Sequence, residues 1–214
     1  NDVAYHMDKV NRGYKNLVNV LGADHIGYIK RITAAVSALS EKKIQLNCKV
    51  CQLVKLFKNG EPFKMSKRAG DFISVQDLLS EVDKDPIRFM MLNRSNDVEL
   101  DFDFDKVKEK TKDNPVFYVQ YAYARINSLL RTSNRSLVEK IEFDEINFTL
   151  NEMDEKIIRK VFEWPKIIES VSRKFDLHKI PFYLYELSTL FHAYWSRGNE
   201  DKRYKFIENG KIKR

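Results

Sequence analysis

Lys64-Met65-Ser66-Lys67-Arg68-Ala69-Gly70 sets three cations and a hydroxyl within five residues. Lys64 and Lys67 in such a loop can reach a triphosphate, and Gly70 lets the backbone bend sharply behind them. Phosphoryl and adenylyl transfer need this chemistry. Negative charge grows on the α-phosphate and on the departing pyrophosphate, and fixed cations stabilise it. Loss of one such group typically costs roughly 10²–10³ in rate. A solvated loop uses the same residue types about as often, so the surroundings must decide between the two.

The elements around the loop place it in an α/β context. Asn16–Leu21 is a short apolar run that fits a buried strand, and Ile26–Leu39 carries Ile29, Ile32, Ala35, Val36 and Leu39 at helical spacing. Val50–Phe57 reads as a second strand, and Asn59-Gly60 after it is a strong hairpin signal. Strand, helix, strand is one crossover of a parallel sheet. Gly22-Ala23-Asp24-His25-Ile26-Gly27-Tyr28 ends the first strand and opens the helix, the position where open α/β sheets bind nucleotides.

From Ser74 onward the pattern is helical. Ser74 can cap Val75–Val82, Asp85-Pro86 starts a further helix, and Asn114-Pro115 starts a long one reaching about Arg131. The acidic stretch 97–105 alternates polar and apolar residues and reads as a connector between the two parts. In the long helix, Val116, Val119, Tyr123, Ile126 and Leu130 form one stripe, expected to be the buried seam. Asn114, Tyr118, Tyr121, Arg125, Ser128, Thr132 and Arg135 form the opposite stripe. Aromatics interleaved with Arg on an exposed face suit unstacked RNA bases and phosphates; packing on a neighbouring helix accounts for them equally well. Leu184, Leu187, Phe191 and Tyr194 make another seam, flanked by Trp195.

Composition narrows the classes. With 43% hydrophobic residues among 214, the chain can build packed cores, so disorder is excluded. The net charge of +7 permits a polyanionic partner without demanding one. No apolar run approaches the ~18 residues of a membrane span and no signal peptide opens the chain, so a soluble, cytoplasmic protein without membrane partners is expected. The first residue is not Met and the opening residues read as the inside of a helix, so an internal piece of a longer protein is expected. Cys48 and Cys51 match C-x-x-C, but three residues apart on a strand they face opposite ways. No further Cys or His lies close in sequence, so ordinary core cysteines and no protein-bound metal are expected.

The Lys64–Gly70 segment resembles the KMSKS signature of class I aminoacyl-tRNA synthetases, and the stretch 71–95 resembles the helices that follow that loop. Asp2-Val3-Ala4-Tyr5-His6-Met7-Asp8-Lys9 with Arg12-Gly13-Tyr14 is similar to the arginine-side helix of arginyl-tRNA synthetases. Asp103-Phe104-Asp105 through Asp113–Ile126 resembles the junction into their anticodon-binding domain. The resemblance covers essentially the whole chain. It implies the second half of a Rossmann-like class I catalytic domain (residues 1–70), a helical connector (71–110) and an all-α anticodon-binding bundle (111–214), C-terminally incomplete. The family's HIGH motif lies N-terminal to this segment, and a Gln that many members carry near Asp24-His25 is absent.

The activity implied is ATP-dependent arginine–tRNA ligation through arginyl-adenylate, with Mg2+ accompanying ATP. Arginine, ATP and tRNA(Arg) are the implied partners, the protein acting as a monomer. In that reading Lys64, Ser66, Lys67 and Arg68 serve catalysis. Gly22, Asp24, His25, Phe63 and Met65 contact ATP, with Asp24 on the ribose hydroxyls and His25 positioning the nucleotide. Asp2 takes the substrate guanidinium, a planar group that pairs bidentately with a carboxylate, and Tyr5 lies beside it. Tyr118, Tyr121, Arg125, Tyr194 and Trp195 are the candidate tRNA contacts. The alternatives are a module that only binds tRNA, or another class I synthetase such as the cysteinyl enzyme, whose Cys/His zinc cluster this sequence lacks.

Overall fold

A computed structural model describes residues 1–63, 74–132, 150–208 and 211–212. The Lys64–Gly70 loop, including Lys64, Met65, Ser66, Lys67 and Arg68, and the helical position Arg135 lie outside these residues. The chain divides into two compact units, residues 1–71 with 94–103 and residues 72–93 with 104–214.

In the first unit, α1 (Asp2–Asn11) precedes β1 (Asn16–Gly22), a 3₁₀ turn (Ala23–Tyr28), α2 (Ile29–Leu39) and β2 (Gln45–Cys51). β1 and β2 run parallel, in register from Asn16↔Gln45 to Gly22↔Cys51. The strand–helix–strand order is the expected one, but the second strand is Gln45–Cys51, sharing only Val50 and Cys51 with the expected Val50–Phe57. Leu17 and Leu46 are register partners and meet Ile32 and Val36 of α2 in a small core, completed by Tyr28, Ile44 and Cys48. α2 begins later than its apolar spacing predicts. Ile26 stays 53% exposed, and the 3₁₀ turn occupies the residues around Gly27.

The predicted strand Val50–Phe57 is two strands. β2 stops at Cys51, and β3 (Val54–Lys58) joins another sheet with β4 (Glu61–Pro62) and β5 (Leu100–Asp103), in the order β4-β3-β5. The break is set by distant backbone. Asn96 Nδ2 donates to Val50 O (2.6 Å), Gln52 N donates to Asn96 O (2.8 Å), and Leu100 N donates to Leu53 O (3.1 Å). The acidic alternation read as a connector therefore holds a strand, with Leu100 and Phe102 buried and β5 parallel to β3. The Asn59-Gly60 hairpin is present with both residues at positive φ, and Asp103 Oδ2 accepts from Gly60 N at 3.2 Å. Cys48 is half-buried, but Cys51 at the strand end is exposed, so only the first fits the expectation of a core cysteine.

The second unit is helical: α3 (Val75–Glu81), α4 (Lys84–Leu92), α5 (Pro115–Thr132), α6 (Glu152–Phe162), α7 (Trp164–Lys174) and α8 (Lys179–Glu200), then the short hairpin β6–β7 (Ile207–Glu208, Lys211–Ile212). Ser74 caps α3 as predicted, in a reciprocal box with Asp77. Its hydroxyl and amide donate to that carboxylate and hold the carboxyl below its ordinary range. α4 starts at Lys84 after Asp83, two residues earlier than Asp85-Pro86 suggests. Asn114 Oδ1 accepts from Val116 N (3.1 Å) at the start of α5. α8 is the axis of this unit and packs against α5, α6 and α7. Gly198 is required where the chain turns back on α8, since a Cβ there would stand 2.8 Å from the Tyr204 carbonyl oxygen.

Candidate functional site

The first unit gathers the N-terminal candidates around the start of α1. Asp2 Oδ2 accepts from the Tyr28 hydroxyl (2.9 Å), so the 3₁₀ turn after β1 steers the carboxylate that opens α1. Partial burial and the neighbouring Asp2 hold the Tyr28 phenol above its ordinary range, so it remains a donor near neutrality. The Arg31 guanidinium lies 5.5 Å from the Tyr28 ring, and Lys9 sits 4.3 Å from the ring of Tyr5, which is itself 58% exposed.

His6, one turn along α1 from Asp2, is buried at 4% exposure. Its Nδ1 lies 2.8 Å from the Asp2 carbonyl oxygen. A carbonyl only accepts, so Nδ1 carries the proton and Nε2 accepts from Asn19 Nδ2 (2.8 Å). Asn19 Oδ1 in turn accepts from Lys9 Nζ (3.2 Å). Neither Asn19 nor Tyr28 is picked out by sequence pattern. Asn19 interrupts an apolar run, and that interruption is the one available signal.

Gly22 ends β1, and Asp24 and His25 lie in the 3₁₀ turn that follows it. The Asp24 carboxylate folds back toward Gly22, where a Cβ would stand 2.7 Å from its Oδ1, so a side chain at position 22 would displace it. Asp24 and His25 are exposed, 3.7 Å apart. Phe63, 40% exposed, donates its amide to Leu56 O at 2.8 Å and so continues the hairpin edge. Among the described residues, no group of three or more His, Cys, Asp or Glu side chains is arranged to hold a metal ion.

In the second unit the expected stripes of α5 hold only in part: Val116 of the seam is buried, and Tyr121, Ser128 and Thr132 of the opposite stripe are exposed. Tyr123, assigned to the seam, is 64% exposed, while Asn114 of the opposite stripe is buried. The stripe with Tyr118 and Arg125 packs on α8. The Tyr118 ring makes tilted contacts with the rings of His192 (centroids 4.3 Å) and Tyr185 (5.4 Å). Arg125 Nη2 donates to the Tyr121 hydroxyl (2.8 Å) and Nη1 donates to His192 Nδ1 (3.1 Å). Its guanidinium lies 4.1 Å from the Tyr121 ring and 4.8 Å from the Trp195 ring. Tyr118, Tyr121, Arg125 and Trp195 are thus brought together by His192, which the apolar-seam reading of α8 passes over. Tyr121 is the open member, 40% exposed. Beside Trp195 lies a cleft of about 250 Å³, lined among others by Ser128, Thr132, Asn199 and Lys205. Tyr194 is interior. Its hydroxyl donates to Asp154 (2.7 Å), accepts from Asn151 (2.7 Å), and burial first, then Asp154, pushes its pKa up to about 12.

His192 has a consequence for stability. Burial first and Arg125 second depress its pKa, against the bond from Nε2–H to the Tyr118 carbonyl oxygen (3.1 Å). A histidine that is harder to protonate folded than unfolded leaves the unfolded chain binding more protons in the window between the two values. Stability there rises with pH, and it is lost as pH falls below the ordinary histidine value of about 6.5. Thermal melts between pH 8 and pH 5 are expected to show a steeper acid loss for the native chain than for His192→Gln. Parallel losses would assign the acid response to other groups.

Residues 119–208, in the helical unit, match the DALR anticodon binding domain. The chain is 58% identical over 210 residues to an arginine–tRNA ligase of Pelagibacter ubique, covering 98% of this chain and 36% of that protein. It is 50% identical over 213 residues to the arginine–tRNA ligase of Ruegeria pomeroyi, covering 98% of this chain and 37% of that one. A solved structure assigned as an arginyl-tRNA synthetase from Campylobacter jejuni superposes with a TM-score of 0.79 at 31% identity, covering 92% of this chain and 42% of that one. The arginyl-tRNA synthetase of Plasmodium falciparum, at 17% identity and a TM-score of 0.70, shares the fold over 95% of this chain and 38% of its own. Along nearly its whole length the chain is similar to arginyl-tRNA synthetases, as a segment spanning little more than a third of the curated relatives it matches.

Proposed function

We propose that this segment serves an arginine–tRNA ligase that activates arginine with ATP to arginyl-adenylate and transfers it to tRNA(Arg). The observation that carries the reading is identity of 58% to an arginine–tRNA ligase along 98% of the chain. Residues 1–70 are read as part of the catalytic domain, 71–110 as the connector and 111–214 as the anticodon-binding part. A Rossmann-like sheet is supported by the parallel β1–β2 pair, which leaves Val18 and Val20 of β1 exposed at 39% and 70%. Parallel sheets are normally covered on both faces, and apolar residues there fit a larger sheet.

Asp2, its oxygen Oδ2 already held by Tyr28, is assigned the substrate guanidinium, with Tyr5 alongside. Gly22, Asp24, His25, Phe63 and Met65 are assigned to ATP, which brings Mg2+. Lys64, Ser66, Lys67 and Arg68 are assigned to the charge developing on the phosphates. In the helical unit Tyr121, Arg125 and Trp195 are assigned to tRNA directly, and Tyr118 and Tyr194 to holding that surface in place. A monomer acting in the cytoplasm is the simplest setting. Among the described residues no helix is long and apolar enough to cross a membrane. The test is arginine-dependent ATP–pyrophosphate exchange by the complete polypeptide carrying this segment, with the 214-residue chain alone expected at background. Exchange driven by another amino acid, and not by arginine, would overturn the assignment.

A further inference from the structure

We propose that His6, Asn19 and Lys9 are positioning residues that set the carboxylate of Asp2 for a guanidinium, an inference that rests on the assignment of Asp2 above. A carboxylate at the first residue of a helix is held only by the helix's first turn, the part most prone to fray. Two ties counter this here. The Tyr28 hydroxyl holds Oδ2, and the His6 Nδ1–H holds the Asp2 main-chain carbonyl from one turn further along. The second tie is itself anchored, because Asn19 of β1 donates to His6 Nε2 and accepts from Lys9 Nζ. The relay runs in one sense only: Lys9 to Asn19 to His6 to the backbone of Asp2. It fixes the His6 tautomer and ties both ends of α1's polar side to the strand.

His6 is 4% exposed, so no substrate touches it directly, and its contribution acts through Asp2. Bidentate recognition of a planar guanidinium tolerates little rotation of the carboxylate, so a loosened first turn weakens arginine binding before anything else. The reacting carboxylate and the ATP site depend on other residues, so the defect falls on arginine affinity alone.

The experiment uses the complete polypeptide carrying this segment and measures arginine-dependent ATP–pyrophosphate exchange. His6→Phe keeps an aromatic ring of slightly larger volume but removes both bonds. The KM for arginine is expected to rise about tenfold, the change that follows loss of one buried hydrogen bond to a positioned group, with the KM for ATP and kcat unchanged. Discrimination between arginine and uncharged citrulline should fall in step. His6→Gln, whose amide oxygen can accept from Asn19, should recover most of the affinity. Lys9→Met, at the half-buried end of the relay, provides a milder break, with a smaller rise in the arginine KM that does not depend on a buried substitution. Asp2→Asn is the control. If Asp2→Asn leaves the arginine KM unchanged, the assignment of Asp2 fails. If it raises that KM while His6→Phe and Lys9→Met do not, or if they lower kcat and alter the ATP KM equally, the relay is structural only and the proposal is overturned.

Discussion

Lys67→Ala is expected to slow arginyl-adenylate formation by about 10²–10³-fold while leaving ground-state arginine binding nearly intact. In sequence the residue falls among Lys64, Ser66 and Arg68, just after the β3–β4 hairpin. In adenylation the arginine carboxylate attacks the α-phosphorus, the bond to the β-phosphate oxygen breaks, and pyrophosphate leaves. Charge moves onto oxygens that a lysine can neutralise only as the bond breaks. An interaction that strengthens in the transition state changes the rate and not the affinity for the amino acid. Removing one such group is worth about 3–4 kcal/mol in comparable sites. Single-turnover adenylation in the complete polypeptide, with arginine binding measured alongside, is the appropriate comparison. An unchanged rate beside a much weaker arginine affinity would make the loop a substrate-binding element and not a catalytic one.

The hairpin carrying that loop shows what the sequence makes legible. Asn59-Gly60 specifies its turn locally, because both positions need positive φ. What secures the turn, the bond from Gly60 N to Asp103, comes from a strand that sequence alternation left as a connector. The same holds one strand earlier. Val50–Phe57 is apolar enough to read as continuous, and only Asn96, distant in sequence, divides it. By contrast β1 and α2 are legible from spacing, since Leu17, Ile32 and Val36 bury their faces together in one core with elements close in sequence.

The site residues divide in the same way. Asp2, Asp24 and Arg125 stand out by type and position, whereas His6, Asn19, Tyr28 and His192 acquire meaning only when other elements meet them. A helical wheel groups α5 into two stripes, yet Val116 from one and Asn114 from the other are both buried. It cannot say which one a partner covers. Tyr118 and Arg125 look like a solvent face until Tyr185 and His192 of α8 supply ring-contact and hydrogen-bond partners, leaving Tyr123 outside.

That packing changes what substitutions on the α5 face should do to tRNA binding. Tyr121 is exposed enough to stack on a base, and Arg125 holds its hydroxyl while also bonding His192 and lying near the Trp195 ring. Tyr121→Ala is expected to weaken tRNA(Arg) binding by about 1–3 kcal/mol, the usual worth of a base–aromatic stack. Tyr121→Phe keeps the ring, loses only the bond from Arg125, and should bind nearly as the native protein does. Arg125→Ala should lower thermal stability as well as affinity, because it leaves His192 Nδ1 without its donor in the α5–α8 interface. Arg125→Lys separates the two contributions. It retains the cation, and with it the salt dependence that one phosphate contact confers, but it lacks the fork that bonds Tyr121 and His192 together. Its melting temperature should therefore fall while its salt slope stays native, whereas Arg125→Ala flattens the slope by about one. Filter binding across a salt series, with melts on the same preparations, reads both quantities. Folded Tyr121→Ala with native tRNA affinity would remove this face from the anticodon contacts and leave the Tyr118–His192–Arg125 cluster as a clasp between two helices.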